Sequence, residues 1–498
     1  MAILKEIGKP GQFWNYFEQI SKIPRCSGRE ERIRNYIKAE GEKFGFKTKV
    51  DKIGNLAIFI PAKSETKEKL ILQCHMDMVC EKNSNITHDF TKDPLKLKVL
   101  EIDNEKWITA EGTTLGADNG TGVCFNLTLM KKIHDGKLSF NSLSIELLFT
   151  VLEEVRLGGA RDIDKNMVDG NLLINLDSGR DGMITNGCTG GIGFIADLKT
   201  NPFPVSQVED KLILLKISLT GLIGGHSGGD INRGRANAIK FLSQIIWKLN
   251  QNYVIYINSI NGGGAANAIP REAFTKIYVK ENEVSEIKSI IHSLFLEIKI
   301  GYEGIEQNIQ IKTEELKLDP NDTLISREIQ KTLLDLLYIL PSGPLVLHPR
   351  ARVLAFASAN LGIIKTEKDY IRLRMLLRSF NQYYNDNTYE KIMTLLDLSN
   401  LEMTITKTGF YPPWEPNYDS RLLNLAKDAY KELSNQDPLV ILIQGGLEAT
   451  FLINLKPDMD AIAIGPTAKD VHSPDEMLNV NSVEKTWNFI LKILQKLD

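Results

Sequence analysis

Histidine and acidic residues follow short apolar runs at several places in the sequence. The run from Leu70 to Cys74 leads into His75 and Asp77, with one residue between them. Residues i and i+2 of a strand point to the same side, and functional sites collect at the carboxyl ends of strands in α/β sheets. A metal-binding imidazole commonly places its second ring nitrogen on a carboxylate, which Asp77 could supply. Taken alone, the pair is more typical of a hydrogen-bonded histidine in a protein core.

The same placement recurs further along the chain. Glu153, Glu154 and Asp177 stand at the ends of apolar runs of strand length, and His472 lies in the segment 465–476 that comes after another such run. Each alone fits a solvated acidic turn, a strand-terminating turn or a loop histidine. Adjacent carboxylates such as Glu153 and Glu154 are costly unless they share a proton or a cation. Because strand after strand ends in His, Asp or Glu, a shared metal site is favoured over separate turns.

A glycine-rich segment from Thr113 to Gly122 carries Asp118 just before a predicted helix. Such a loop could bind phosphate at a helix N-terminus, but no Gly-Lys-Ser/Thr follows and the GxGxxG spacing is absent. Two histidines and three carboxylates suit two zinc ions with one bridging carboxylate: His75, His472, Asp118, Glu154 and Asp177. Glu153 is then free to act as a general base. Zinc is expected from the mixed nitrogen and oxygen ligands, with cobalt and manganese as alternatives.

The elements that must position these residues alternate between strands and helices. Apolar runs of strand length and a helical run near 120–133 predict a sheet with parallel strands, covered by helices on both faces. Between about residues 200 and 405 the order becomes βαββαβ and is then largely repeated, which suggests two similar α+β units in tandem. We therefore expect an outer domain made of residues 1–186 and 408–498, with an inserted α+β domain at 187–407.

Composition limits the class of protein. With 498 residues, 43% hydrophobic and 25% charged, and a net charge of −3, the chain has the composition of an ordinary globular protein of more than one domain and shows no bias toward nucleic acid. No apolar run of about 18 residues predicts a membrane span, and the first residues do not resemble a signal peptide, so we expect a cytoplasmic protein. Five unpatterned cysteines are expected to be reduced thiols: Cys26, Cys74, Cys80, Cys124 and Cys188.

Several segments together resemble the M20 metallopeptidases, most closely their aminoacyl-histidine dipeptidase branch (peptidase D, Xaa-His dipeptidase). The resemblance extends over nearly the full length and is specific only when the segments are combined. They are LQCHMDMV, GTTLGADNGTGV, LEEVRLGGA, NLDSG, NGCTGG, GGHSGGDINRGRANA, NGGGAANAIPREA, YPPWEPNYDS and GPTAKDVHSPDE. The family fold implied is α/β, with a zinc-exopeptidase-like mixed sheet that carries helices on both faces and an inserted α+β lid domain.

The resemblance also implies a division of the metal ligands. His75 and Asp177 would hold one metal ion, and Glu154 and His472 the other. Asp118 would bridge the two ions, and the peptide bond after it would be cis.

Further roles are implied by the resemblance for residues that hold no metal ion. Asp77 would orient His75, and Glu153 would be the general base. His226 in the inserted domain would stabilise the oxyanion, while Asn267 and Arg378 would bind the C-terminal carboxylate of the substrate.

One segment of the resemblance departs from the family pattern. Gly446 and Glu448, in the segment 443–449, are predicted substrate contacts. The same segment has Gln444 where the branch has histidine and Ala449 where it has cysteine, which weakens the expectation of a histidine side chain at the second residue of the substrate. Arg156 replaces a small residue after the two glutamates and adds a positive charge.

The resemblance predicts a dinuclear dipeptidase that cuts short peptides, of Xaa-His type or broader. Two alternatives are an M20 amidohydrolase acting on N-acyl amino acids and a non-catalytic peptide-binding homologue. The retained Glu153 argues against the second, because a binding protein needs ligands but no base. Family precedent favours a homodimer, whereas the doubled inserted domain allows His226 to act within its own chain.

Overall fold

The structure is a computed structural model that describes Leu4 and residues 7–498. Its helices are α1 (Gly11–Ile20), α2 (Glu31–Lys43), α3 (Ala117–His134), α4 (Gly158–Arg161), α5 (Ala238–Asn252), α6 (Val284–Lys299), α7 (Arg327–Ile339), α8 (Gln382–Leu398), α9 (Arg421–Ser434), α10 (Ala449–Leu455) and α11 (Val480–Leu497). Among the helices of these described residues, none combines the length and apolar character that a membrane crossing requires.

The strands in chain order are β1 (Lys47–Val50), β2 (Leu56–Ile60), β3 (Glu68–His75), β4 (Leu97–Ile102), β5 (Glu105–Ala110), β6 (Leu143–Thr150), β7 (Leu172–Asn175), β8 (Met183–Cys188), β9 (Gly190–Lys199), β10 (Phe203–Pro204), β11 (Leu212–Thr220), β12 (Gly225–His226), β13 (Ile255–Gly262), β14 (Ala268–Ile269), β15 (Ala273–Lys280), β16 (Gln310–Leu316), β17 (Thr323–Leu324), β18 (Gly343–Leu347), β19 (Ala355–Thr366), β20 (Tyr370–Ser379), β21 (Met403–Tyr411), β22 (Leu439–Ile443), β23 (Asp460–Ala463), β24 (Ala468–Lys469) and β25 (Met477–Asn479).

The chain folds as two compact units. The first contains the residues up to Cys188 together with Trp414–Leu442 and Gly446–Asp498. The second contains Thr189–Pro413 and the three residues Ile443–Gly445. Each unit has its own hydrophobic core, so each buries apolar surface independently of the other.

The first unit is built on a mixed sheet with the strand order β1-β2-β6-β3-β7-β23-β8-β22. Its centre is parallel, because β3 pairs in parallel with both β6 and β7, and β7 pairs in parallel with β23. Parallel neighbours end at the same edge of a sheet. The residues that follow β3, β6, β7 and β23 therefore meet at one edge, as the alternation of apolar runs and acidic residues predicts.

The second unit contains one large sheet with the order β16-β11-β15-β13-β19-β20-β9-β21, to which β18 adds on β19. The antiparallel contact between β13 and β19 divides this sheet into two halves. The strands and helices of the two halves are connected in the same order. One half is β11-α5-β13-β15-α6-β16, and the other is β9-α7-β19-β20-α8-β21. The expected tandem order is wrong, since β9 precedes the first half in the chain and the second half encloses it.

The cysteine prediction is wrong for two of the five residues. Cys26 and Cys80 form a disulfide with a Cα–Cα distance of 5.7 Å, a separation that such bonds require. A parallel bridge between Cys26 and Met78 brings the two segments together. The two cysteines are 54 positions apart in the sequence, and no pattern in that stretch would have indicated the pair. The other three cysteines are buried thiols, as predicted.

A buried carboxylate in β6 leads to a prediction about stability and pH. Glu146 is 5% exposed; its Oε2 accepts a hydrogen bond from the Asp169 amide at 3.0 Å, and its Oε1 has no hydrogen-bond partner. Burial raises the pKa of Glu146 to about 7. The folded state therefore favours the neutral acid, and the ionised form destabilises the fold increasingly as the pH rises from the ordinary carboxyl pKa to about 7.

We expect Glu146→Gln, which mimics the neutral acid, to become progressively more stable than the wild type between about pH 5 and pH 8. The pH-dependent gain is up to about 3 kcal/mol. Thermal unfolding from pH 5 to pH 8 measures this stability difference. Glu101→Gln, at an exposed position of β4, is the control, and its stability relative to the wild type should not vary with pH. A stability difference that is constant over this range would contradict the prediction.

Candidate metal centre

Asp118 lies between two histidines from distant parts of the chain. His75, the last residue of β3, places its Nε2 at 2.9 Å from Asp118 Oδ1. His472, in the loop between β24 and β25, places its Nε2 at 3.2 Å from Asp118 Oδ2. Each carboxylate oxygen therefore faces a different imidazole. The peptide bond between Asp118 and Asn119 is cis, in agreement with the family resemblance.

The remaining predicted ligands complete two clusters around Asp118. Glu154 Oε1 lies 3.1 Å from His472 Nε2, and Asp177 Oδ1 lies 3.9 Å from His75 Nε2. Three groups have candidate ligand atoms within 4.8 Å of one another: His75, Asp118 and Asp177; Asp118, Glu154 and His472; and His75, Glu153 and Glu154. The structure thus brings together all five predicted metal ligands, with Glu153 beside them.

The charges of this cluster fit divalent cations. Burial, reinforced by the charge of Asp118, raises the pKa of Asp177 well above its usual range. Burial also raises the pKa of Glu153. Contacts with Asp118 and Glu154 raise the pKa of His472 to about 11. Without a metal ion the cluster thus retains protons, which divalent cations would replace on imidazole and carboxylate donors suited to zinc.

Asp77 contacts His75 and also accepts hydrogen bonds from the start of the Glu153–Glu154 segment. His75 Nδ1 lies 3.3 Å from Asp77 Oδ1, and neither side chain has exposed surface. Asp77 Oδ1 accepts the amide hydrogen of Glu153 at 3.1 Å, and Oδ2 accepts that of Glu154 at 3.2 Å. Burial lowers the pKa of His75, but the contacts with Asp118 and Asp77 outweigh it and hold the pKa well above its ordinary value. The Asp77 carboxylate therefore contacts both the His75 imidazole and the backbone amides of the two glutamates.

Glu476 supports the loop before Asp118 and has no role in the sequence predictions. Its carboxylate accepts hydrogen bonds from the amides of Leu115, Gly116 and Asp118 at 2.8, 2.8 and 3.2 Å. Glu476 is buried and ends the segment that also contains His472. The only sign of Glu476 in the sequence was its place in that segment. Its backbone partners lie far away in the chain, so they leave no local residue pattern.

Arg25 is a second supporting residue that the sequence did not indicate. It is buried and donates hydrogen bonds to the carbonyl groups of Met76 and Asp77 at 3.1 and 3.0 Å, and to that of Gly116. Gly116 has a φ of 66°, and a Cβ there would lie 2.5 Å from the Arg25 guanidinium. Glycine is therefore required at this position both by conformation and by the close approach of Arg25.

Three further predicted active-site residues, His226, Asn267 and Arg378, belong to the second unit. His226 ends β12 and pairs with Ala268 of β14, while the Ser227 amide donates to the carbonyl of Asn267 at 2.8 Å. His226 and Asn267 are thus neighbours, and both are exposed. Partial desolvation of the imidazole and the positive charge of Arg378 lower the pKa of His226, so its neutral form is favoured. Arg378, at the end of β20, donates to the Tyr411 hydroxyl.

The segment 443–449 is divided between the two units. Gln444 is buried in the second unit and donates to the carbonyl of Ala355 at 2.9 Å. Gly446 is half-buried in the first unit, and Ala449 begins α10 without exposed surface. Arg156 is exposed after the Glu153–Glu154 pair.

Glu448 is placed differently from its prediction. It has no exposed surface, and its Oε2 accepts hydrogen bonds from Gln73 and Thr150, each at 2.6 Å. Burial raises the pKa of its carboxyl to about 7. The structure therefore corrects the predicted substrate contact: Glu448 is an internal group that bonds to two strands of the first unit.

Comparisons with known proteins agree with this site. Residues 71–496 match the model of the peptidase family M20/M25/M40. The cytosol non-specific dipeptidase of Escherichia coli (strain K12) is 33% identical over 494 residues, which cover 98% of both chains. The crystal structure of aminoacylhistidine dipeptidase from Vibrio alginolyticus matches with a TM-score of 0.87 at 30% identity, covering 98% of this chain and 97% of that chain.

Aminopeptidase PepT from Bacillus cereus shares the fold, with a TM-score of 0.57 at 14% identity and 99% of both chains covered. The mixed α/β architecture is accordingly that of M20 peptidases. The chain belongs to the M20 family of metallopeptidases. It is a hydrolase of peptide bonds, and this family implies the use of divalent metal ions.

Proposed function

We propose that the chain is a dinuclear metal-dependent dipeptidase. The observation that carries this proposal is the position of Asp118, whose two oxygens face His75 and His472 separately. A shared carboxylate between two histidine-containing clusters is the arrangement expected for a two-metal hydrolase. Two relatives at 30% identity or more, each matched over nearly its full length, are named dipeptidases, which supports short peptides as the substrate.

The predicted division of ligands fits the observed clusters. His75 and Asp177 would hold one ion, Glu154 and His472 the other, and Asp118 both. Zinc is the proposed metal, with cobalt and manganese as alternatives. When bound, the ions would polarise the peptide carbonyl and lower the pKa of a water molecule.

The protein's own groups move the protons. Glu153, with its Oε2 at 4.0 Å from His75 Nε2, would take a proton from the attacking water and deliver it to the leaving amine. His226 would donate a hydrogen bond to the developing oxyanion. Asn267 and Arg378 would bind the terminal carboxylate of the peptide, and Gly446 would line the substrate pocket. Recognition of that carboxylate would restrict the enzyme to short peptides.

Substrate preference is tested by a panel of compounds. We expect the zinc-loaded protein to cleave Ala-His, Gly-His and Leu-Leu and to leave N-acetyl-Met intact. Cleavage of the histidine dipeptides alone would define an Xaa-His enzyme, whereas comparable rates on Leu-Leu would define a broader one, as expected if Gln444 and Ala449 alter the pocket. Preferential hydrolysis of N-acetyl-Met would replace the proposal with an amidohydrolase. A folded, metal-loaded protein without activity would favour the peptide-binding alternative.

Assembly and location are also proposals. His226 could act on the metal centre of a partner in a homodimer, or on the metal centre of its own chain. Mixing His226→Ala and Glu153→Ala proteins should restore activity only if His226 acts on the partner. A cytoplasmic location is proposed because the Escherichia coli relative is named a cytosol dipeptidase. The disulfide between Cys26 and Cys80 would be unusual in that compartment.

A glycine next to His226 gives a direct test of the proposed oxyanion role. A Cβ on Gly228 would lie 1.6 Å from the Gln444 carbonyl oxygen, whereas a Cβ on Gly229 would meet no atom within 4 Å. We expect Gly228→Ala to displace the His226 loop and lower kcat roughly tenfold or more, as partial loss of an oxyanion donor would. Metal content should not change.

Gly229→Ala is the matched control and should behave like the wild type. Steady-state kinetics on a dipeptide, together with metal analysis of both variants, measure the effect. Equal kcat for the two alanine variants would contradict the proposed role of the loop.

A further inference from the structure

A buried polar cluster joins three strands of the first unit. Glu448 Oε2 accepts hydrogen bonds from Gln73 Nε2 and Thr150 Oγ1, each at 2.6 Å. Gln73 Oε1 accepts a hydrogen bond from Asn175 Nδ2, also at 2.6 Å, and Gln73 Nε2 lies 3.1 Å from Thr150 Oγ1. None of the four side chains has exposed surface. Strands β6, β3 and β7 are therefore linked by side chains in addition to their backbone ladders.

Each strand residue of this cluster stands just before a residue of the metal centre. Gln73 precedes His75, Thr150 precedes Glu153 and Glu154, and Asn175 precedes Asp177. Gln73 and His75 point to the same face of β3, since they are two residues apart in a strand. In the ladders, Thr150 is paired with His75, and Asn175 with Gln73. A shift of any one of these strands would move a metal-site residue with it.

Glu448 is the member that comes from elsewhere in the chain. It directly precedes α10 and reaches strands that lie about 300 to 375 residues earlier in the sequence. A buried carboxylate is costly, and an apolar side chain would fill a core more cheaply. Gln73 and Thr150 lie on different strands and donate to the same carboxylate oxygen. These hydrogen bonds therefore hold the two strands in place relative to each other. Sites that bind metal ions need such supporting groups to hold ligands to within about 0.5 Å.

We propose that Glu448 is a positioning residue of the metal centre, which holds the ends of β3 and β6 in register through its hydrogen bonds to Gln73 and Thr150. This inference rests on the proposed two-metal function. Glu448 contacts neither substrate nor metal ion in this role. It acts through the strands that present His75, Glu153 and Glu154.

The test compares metal affinity with fold stability. Affinity is measured by competition of zinc with a chromophoric chelator, and stability by thermal unfolding of the metal-free proteins. We expect Glu448→Ala to bind zinc 10- to 100-fold more weakly, the range found for outer groups that orient ligands. We expect kcat to fall while KM changes little. Glu448→Gln keeps an oxygen acceptor in the same place and should recover most of the affinity.

A second pair of variants covers the case in which Glu448→Ala does not fold. Thr150→Val removes one of the two donors and should weaken zinc binding, whereas Thr150→Ser keeps the hydroxyl and should restore it. Thr128→Val is the matched control. Thr128 is equally buried in α3, and its hydroxyl has no hydrogen-bond partner. It should therefore leave zinc binding unchanged.

Two results would overturn the inference. One is wild-type zinc affinity in folded Glu448→Ala or Thr150→Val protein. The other is a loss of thermal stability alone, with affinity and kcat unaffected. Failure of the proposed function is distinguishable from both, because the wild-type protein itself would then bind no zinc or cleave no dipeptide.

Discussion

Glu153→Gln is expected to lower kcat for dipeptide hydrolysis by about 10³-fold while the protein still binds two metal ions. The substitution keeps the size of the side chain but removes the basic oxygen that accepts the proton of water, and general bases contribute roughly 10²- to 10⁴-fold. The Glu153 backbone amide donates to Asp77, and this bond does not depend on the side chain. Steady-state kinetics and metal analysis of the same preparation give both quantities.

The adjacent residue provides the contrast. Glu154→Gln makes the same chemical change one position later, but Glu154 Oε1 lies beside His472, where a metal ligand is proposed. This variant should lose activity together with one metal ion. If Glu153→Gln lost metal and Glu154→Gln retained it, the two assignments would have to be exchanged. Undiminished cleavage by Glu153→Gln would remove Glu153 from the mechanism.

The second large effect is expected for Asp118→Ala. Among the residues that the structure describes, only Asp118 has carboxylate oxygens within about 3.2 Å of both His75 and His472, so its removal takes a ligand from each proposed ion. We expect zinc affinity to fall by more than about 100-fold, since even groups outside the ligand set can contribute that much. Hydrolysis should become undetectable at zinc concentrations that saturate the wild type.

Asp177→Ala is the matched comparison for this prediction. Of the two histidines in the clusters, Asp177 lies near His75 and not near His472. We therefore expect this variant to lose one ion and keep the other. Metal analysis after gel filtration distinguishes the two variants. An Asp118→Ala protein that retained two tightly bound ions would show that the carboxylate does not bridge them.

Residues that follow buried strands were predictable, and the reason is geometric. The apolar run before His75 predicts a strand of a parallel sheet, and parallel strands bring their carboxyl ends together. The five proposed ligands accordingly meet at one edge, although they are spread from residue 75 to residue 472. The fold class followed from the same alternation of strands and helices, together with the family resemblance.

Groups that act through backbone contacts were not predictable. Arg25 and Glu476 bond to main-chain atoms of the loop around Gly116, and main-chain partners leave no residue pattern. Glu448 was taken for a substrate contact because the sequence does not report which way a side chain points from a glycine-rich turn. The Cys26–Cys80 pair was missed for a similar reason, since the bridge that aligns its two segments forms only in the folded chain.

The strand order of the second unit shows the same limitation. Local pattern identified most of its helices and strands, but it assigned both halves to consecutive stretches. The sheet instead takes β9, at the start of the unit, as a central strand of the second half, between β20 and β21. Pairing between strands about 170 to 220 residues apart depends on tertiary contacts that periodicity does not encode.

The central claim, that two metal ions act in one centre around Asp118, is tested most directly by titrating the metal-free protein with zinc while Leu-Leu or Ala-His hydrolysis is followed. We expect activity to be absent without metal and to reach its plateau at two equivalents of zinc per chain, with Asp118→Ala inactive throughout. A plateau at one equivalent, or full activity in the presence of a strong chelator, would contradict a dinuclear centre.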